Sequence, residues 1–433
     1  MSFFRTDPAA PGPWRPTPSL IVGVGLLAPA LTSGISTSVG PQVAVFLLFA
    51  AWLWGAERRA TWHALVFAAV AGVLLLAHTA VGEGMGTCQD LMFKSLASQV
   101  LLVLVVAALC LLAGASRSAS AKQAVARLVT VFVAAVIVEK LYLLATGAKE
   151  TIRPSGFFSE PSHFALTIAP LLIFLILDDE PRWRRHGIVV ALISLWLAAS
   201  ATLFLLLAVG LGLMWLAMHG RRLRLLKVLQ VVVLSVVFAG VAYVSPFWSD
   251  FVDRVTSLGN QSTEANVSSV VYVMGWELAI ENLQNSSGWG LGFNRMGCEP
   301  RPYTDGVEVL ELLGLDDGNY NDGSFLASKA LSEMGGFAAL LWFWAAWRAW
   351  RWRRLLHAGA PLVSEQARLM MSVLICALVG LLLRGTGYFS GPVLLEAYAY
   401  FWLREAGRRG SAPGALPTMQ RPGPDAGLAA SPD

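Results

Sequence analysis

Apolar runs alternate with short polar stretches along most of the chain. They fall near 19–37, 41–55, 62–81, 95–114, 127–147, 164–178, 187–200, 202–218, 227–246, 325–347, 368–386 and 391–403. A bilayer core takes about 20 helical residues, so the pattern predicts twelve spans. The stretch 187–218 is too long for one such helix and too short for two full ones, and we divide it at Ala199-Ser200-Ala201-Thr202. The expected fold class is all-α, a polytopic transmembrane helix bundle with one larger loop between spans 9 and 10.

Basic residues give the bundle a direction. Arg58-Arg59, Arg117/Lys122/Arg127, Arg182/Arg184/Arg185, Arg221/Arg222/Arg224/Lys227, Arg348/Arg351/Arg353/Arg354 and Arg404/Arg408/Arg409 fall on alternate loops. The positive-inside rule then puts those loops and both termini in the cytoplasm. The loops 82–94, 148–163, 247–324 and 385–390 become exoplasmic. The membrane domain is 1–404. The Pro/Gly/Ala-rich stretch 405–433 reads as a disordered cytoplasmic tail.

Loop 247–324 is too short and polar for an independent domain. Its Trp276/Ala279/Ile280/Leu283 spacing predicts one amphipathic helix, ended by a turn at Gly288-Trp289-Gly290-Leu291-Gly292. No lysine follows that turn where a phosphate-binding loop requires one.

Composition agrees with the pattern. Hydrophobic residues make up 56% of the chain and charged residues 14%, where soluble domains carry about 25%. Mean hydropathy is +0.60. The net charge of +4 comes from short basic clusters between apolar runs and implies no nucleic-acid partner. The N-terminus lacks the charged, apolar and cleavage regions of a signal peptide, and no internal repeat of fixed period is evident.

Cys110 and Cys376 lie inside spans and read as packing residues. Cys88 and Cys298 fall on exoplasmic loops, where an oxidising compartment permits a disulfide; two unrelated thiols are the alternative. No His/Cys/Asp cluster has metal-ligand spacing, so no structural zinc is expected.

The densest chemistry lies in Arg153-Pro154-Ser155-Gly156-Phe157-Phe158-Ser159-Glu160-Pro161-Ser162-His163-Phe164. Prolines and a glycine forbid a regular helix there, and irregular backbone at a membrane needs cover from protein or a wet cavity. Arg153 offers a permanently charged fork that suits phosphate; otherwise it snorkels to headgroups. Glu160 and His163 could serve as a base toward a hydroxyl, or Glu160 could cap the next helix and His163 sit hydrogen-bonded at the interface. Arg295, Arg301 and Arg384 are further exoplasmic candidates for an anion.

Asp322 reads as a catalytic candidate or as a turn acid in Asp-Gly-Ser. Lys329 and Glu333 sit four apart on one helix face and can pair. Glu139-Lys140 and Glu396, inside spans, demand a polar interior. Several arginines with an acid and a histidine describe a site for an anionic lipid-linked substrate rather than an ion channel, which would want rings of one repeated polar residue.

Gly156-Phe157-Phe158-Ser159-Glu160-Pro161-Ser162-His163-Phe164-Ala165 resembles the Gly-x-Phe-x-Glu-Pro-(Ser/Asn)-x-x-Ala signature of the bacterial O-antigen polymerase and ligase superfamily. Arg153 looks like that family's loop arginine. Ser268 to Gly292 is similar to its Trp-x-x-Ala…Asn-Pro-x-x-Gly-x-Gly block. Asp322-Gly323-Ser324-Phe325-Leu326 through Glu333-Met334-Gly335-Gly336 resembles the block opening its late span. Tyr272 stands where the family commonly has an arginine, so Arg295, Arg301 or Arg384 is expected to replace it. Asp322 or a near neighbour stands where ligases carry histidine, which favours a polymerase.

The resemblance implies an enzyme of the bacterial inner membrane needing no metal or cofactor. It would transfer a glycan from undecaprenyl pyrophosphate to a lipid-linked repeat unit at the exoplasmic face, with a chain-length regulator and a flippase as further partners. The alternatives are a ligase-type glycan transferase and a lipid-linked oligosaccharide flippase, which would more often show two similar halves.

Overall fold

A computed structural model describes residues 58–86, 88, 91–116, 120–147, 153–158, 160–219, 247–259, 262–298, 302–315, 323–357, 361–384 and 387–410, with positions 233, 236, 240 and 243. The expected spans 19–37 and 41–55, most of 227–246, Arg301, Asp322 and residues 411–433 lie outside them.

Among the described residues the secondary structure is helical. The helices are α1 (Arg58–Gly84), α2 (Met92–Ala115), α3 (Lys122–Ala145), α4 (Pro161–Ile176), α5 (Pro181–Ala198), α6 (Ala201–His219), α7 (Phe247–Thr256), α8 (Val267–Asn285), α9 (Asp305–Leu312), α10 (Leu326–Met334), α11 (Gly336–Trp352), α12 (Pro361–Gly380) and α13 (Gly391–Gly410). Four segments, Met92–Gly114, Lys122–Ala145, Ala201–His219 and Val363–Gly380, are long and apolar enough to cross a membrane. Val73, Leu74, Val138, Leu141, Leu340 and Phe343 point outward and are more than half exposed. Such a belt suits lipid and mismatches water. The chain is a helical membrane protein.

α4 forms the axis of the bundle. Pro161 occupies its first turn, where the missing N–H costs nothing. Every residue from Phe164 to Ile176 is buried, against α5, α6 and α12. Lipid tails are as apolar as leucine, so close packing rather than hydrophobicity must bind helices there. Small residues allow that approach. A Cβ added at Gly187 of α5 would lie 2.8 Å from Leu175 Cβ and 2.9 Å from the Ile176 nitrogen, and Gly210 and Gly380 face α4 in the same way.

The division at Ala199 is real: Ala199 adopts φ 45°, ends α5, and α6 starts at Ala201. The expected single span 325–347 is instead two helices broken at Gly335 (φ 58°). A side chain there would collide with the Gly288 and Trp289 carbonyls. The helix expected in loop 247–324 exists as α8, but its buried face is Val270, Val271, Met274, Leu278 and Ala279, while Ile280 is exposed. α9 packs on that face, with Gly306 against Met274. α13 continues to Gly410, past the boundary expected at 404.

The glycine turn is a docking strip. Gly288 O accepts from Gly336 N at 2.9 Å, and Leu291 N and Gly292 N donate to Ser332 O and Glu333 O, each at 2.9 Å. These donors are committed to the α10–α11 break and hold no phosphate. Cys88 and Cys298 form a disulfide beside Leu291.

Packing against α4 yields a paired prediction. Gly187→Ala should destabilise the purified protein by about 1–3 kcal/mol through overpacking. Gly212→Ala, with nothing within 4 Å of its added methyl, should be neutral or slightly stabilising. Thermal unfolding in detergent measures both.

Candidate functional site

The segment 153–158 is irregular, as its prolines and glycine require, and a helix carboxylate holds it. Glu139 of α3 accepts from Ser155 N at 2.7 Å and Gly156 N at 2.5 Å through one oxygen. Gly156 has φ 67°, and an added Cβ would lie 3.1 Å from Val136 Cγ2. Ser155 Oγ closes the loop onto Phe158 O at 2.5 Å. Arg153 leaves this loop toward the end of α5, where its Nη1 lies 3.5 Å from Ala199 O. A helix C-terminus carries partial negative charge and suits a guanidinium.

Glu160 is the extended residue before α4, yet its carboxylate makes no capping bond to that helix. It accepts from Arg384 Nη2, in the turn just past α12, at 2.5 Å and from Ser162 Oγ at 2.8 Å. The pair joins residues far apart in the chain. Burial pushes the Glu160 carboxyl up, but the Arg384 charge, hydrogen bonds from Ser162 and Arg384, and the charge of His163 together hold it below the ordinary carboxylate range.

These groups line one cavity of about 530 Å³. Arg153, Glu160 and Arg384 supply its charge; Ser200, Thr202, Ser268 and Ser324 supply hydroxyls; Leu205, Val255, Leu258, Val271 and Leu383 form an apolar wall. Tyr272 lines it too, stacked on Phe325 with centroids 4.7 Å apart and donating to Leu382 O at 3.1 Å. Of the arginines expected to stand in for the one absent at Tyr272, Arg384 lines this cavity together with Arg153.

Other expected site residues lie elsewhere. Arg295 is fully buried, ion-paired with Glu83 and donating to Cys88 O at 3.0 Å, so it ties the glycine strip to α1 and lies off the cavity. Lys329 and Glu333 pair at 4.0 Å within α10. Glu333 also accepts from Asn294 N at 2.8 Å and Met296 N at 2.9 Å, which makes it a clamp for the same strip. His163 is outside the cavity lining and acts on Glu160 through its charge.

Sequence reasoning missed three contributors. Ser200 and Thr202 stood out only as a helix break, and that break opens onto the cavity. Ser324, in the left-handed region at φ 66°, has a buried hydroxyl with no hydrogen-bond partner among the described residues. The Asp-Gly-Ser string marked a turn there but gave no sign of the side chain's surroundings.

Two predictions follow from this geometry. Glu139→Ala should free the Ser155 and Gly156 amides and cost about 1.5–3 kcal/mol, the range for hydrogen bonds to a charged group; amide hydrogen exchange at those two residues reads it directly. The second concerns acid. Between the depressed pKa of folded Glu160 and its ordinary value, the unfolded chain binds more protons, so stability rises with pH. The contribution is complete above the ordinary carboxylate range and is lost as pH falls through the depressed value. Glu160→Gln should flatten that dependence, by about 1 kcal/mol or less because the Glu160 side chain is 44% exposed. Thermal unfolding across the acid range checks it.

Compared with protein-family models, curated proteins and solved structures, the chain gives no match, and the functional reading rests on the cavity and the sequence.

Proposed function

We propose that the protein is a polysaccharide polymerase of the bacterial inner membrane. It joins undecaprenyl-pyrophosphate-linked repeat units at the exoplasmic face, with both termini in the cytoplasm. The observation that carries this reading is one cavity with Arg153 and Arg384 beside Glu160 and an apolar wall of Leu205, Val255, Leu258, Val271 and Leu383. A polar, anionic head on a long hydrocarbon tail matches both halves. The Gly-x-Phe-x-Glu-Pro resemblance supports the same choice, because its arginine and glutamate are residues lining this cavity.

The reaction is a glycosyl transfer. The acceptor hydroxyl oxygen attacks the anomeric carbon of the donor glycan, a new C–O bond forms, and the bond to pyrophosphate breaks with its electron pair on the departing phosphate oxygen. Arginine forks stabilise that charge, which is where preorganised donors contribute most. The hydroxyl proton goes to Glu160. Paired with Arg384, Glu160 is a weak base. An arriving pyrophosphate competes for the Arg384 fork, and removing that charge raises the carboxyl's proton affinity. Substrate binding thereby switches the base on.

Purified protein given one defined lipid-linked repeat unit should build a ladder of glycans. Arg153→Ala and Arg384→Ala should each lower the rate by about 10²–10³-fold, and Glu160→Gln by about 100-fold or more. Parent-rate polymerisation by Arg153→Ala and Glu160→Gln would remove the site assignment. Product only with a separate acceptor would make the protein a ligase, and absence of product under both conditions would favour transport.

A further inference from the structure

A second cavity, of about 380 Å³, lies at the other end of α6 and is lined by Ala217, His219, Arg351, Arg353, Arg354 and His357. α6 reaches from Ala201 in the first cavity to Ala217 and His219 in the second. At 1.5 Å per residue that is about 25 Å, close to the thickness of a hydrocarbon core. The two cavities therefore open at opposite membrane faces.

The local sequence explains how the cationic set is presented. After α11 the chain makes a short 3₁₀ turn, Arg353–His357, in which Leu355 and Leu356 are buried. Arg353, Arg354 and His357 are left facing the cavity. Tryptophans steady two of the arginines: Arg351 stacks over Trp347 at 4.9 Å, and Arg353 lies 4.2 Å above Trp350 and donates to its carbonyl at 2.9 Å. His219 is fixed by a 3.0 Å bond between Nδ1 and Trp215 O. Among the described residues, no acid lines the cavity. Its rim continues into an exposed apolar face of α11 made by Leu340, Phe343, Trp344, Trp347 and Trp350. A basic pocket bordered by interfacial tryptophans and a lipid-facing surface has the makeup of a headgroup site.

We propose that this cavity binds the phosphate of an anionic lipid headgroup, at the face opposite the Arg153 cavity. The arginine forks hold the phosphate oxygens, and the tryptophan face of α11 carries the acyl chains. Positive-inside anchoring alone would need neither a cavity nor selectivity among lipids.

The full-length chain in detergent is titrated with phosphatidylglycerol, phosphatidylcholine or inorganic phosphate, and bound species are counted by native mass spectrometry. Phosphatidylglycerol should bind well above phosphatidylcholine. Arg351→Gln/Arg354→Gln should weaken it about 30-fold, the expectation for two interfacial charges, and Arg351→Lys/Arg354→Lys should retain most of it. Inorganic phosphate binding as tightly as the lipid would keep the phosphate site but assign it to a soluble anion, overturning the lipid half of the proposal. Equal retention of the two lipids by the parent protein overturns the whole. So does unchanged phosphatidylglycerol binding in the Gln variant. If that variant does not yield monodisperse protein, the parent's lipid preference and the Lys variant decide.

Discussion

Backbone N–H groups that leave a helix inside an apolar bundle have no water to bond, and each must find an acceptor within the protein. This chain meets that constraint with glutamates reaching from neighbouring helices. Glu139 takes the amides of Ser155 and Gly156, Glu333 those of Asn294 and Met296, and Glu365 those of Ala121 and Lys122. Each carboxylate brings two lone-pair-rich oxygens to a place where the chain has stopped being helical, and charge-assisted bonds of this kind are stronger than neutral ones. Irregular loops can then be fixed as firmly as helices. The first cavity depends on one of these clamps directly, because Arg153 projects from the loop that Glu139 holds.

The Glu160–Arg384 pair answers a second problem, the cost of charge at a lipid boundary. Alone, either residue would be expensive to hold where the cavity wall is apolar; together they form a neutral unit. Breaking such a pair is favourable only if something of like charge takes the place of the leaving partner. A phosphate can replace the Glu160 carboxylate on Arg384, whereas a neutral glycan cannot. The pair therefore sits, charge against charge, in a cavity whose remaining wall is hydroxyls and hydrocarbon.

Much of the helical scaffold was legible because lipid imposes length and hydropathy on any helix that crosses it. The break at Ala199 and the turn at Gly288–Gly292 could be read from residue type alone. The break at Gly335 could not: apolar residues continue on both sides, and the glycine matters only because a distant carbonyl strip lies against it. Arg153, Glu160 and Arg384 were recognisable as charges at span ends, and their convergence agrees with that reading. Arg295 looked equivalent in sequence, yet it is buried on Glu83, since a one-dimensional string does not tell which loop charge faces a cavity and which faces a neighbouring acid. The buried face of α8 was misplaced for the same reason. It packs on α10 and on α9, both supplied by later parts of the chain.

The Cys88–Cys298 bridge has a consequence for topology that no helix assignment provides. Two bonded sulfurs occupy one side of a bilayer, so the chain between them passes through the membrane an even number of times. Arrangements with an odd count across 89–297 are forbidden, however the apolar segments there are divided. Counted with the runs read from the sequence, which include 227–246 outside the described residues, a single crossing at 187–218 gives an odd number and the split at Ala199 an even one. One covalent link thereby sets a counting rule for every helix between the two cysteines.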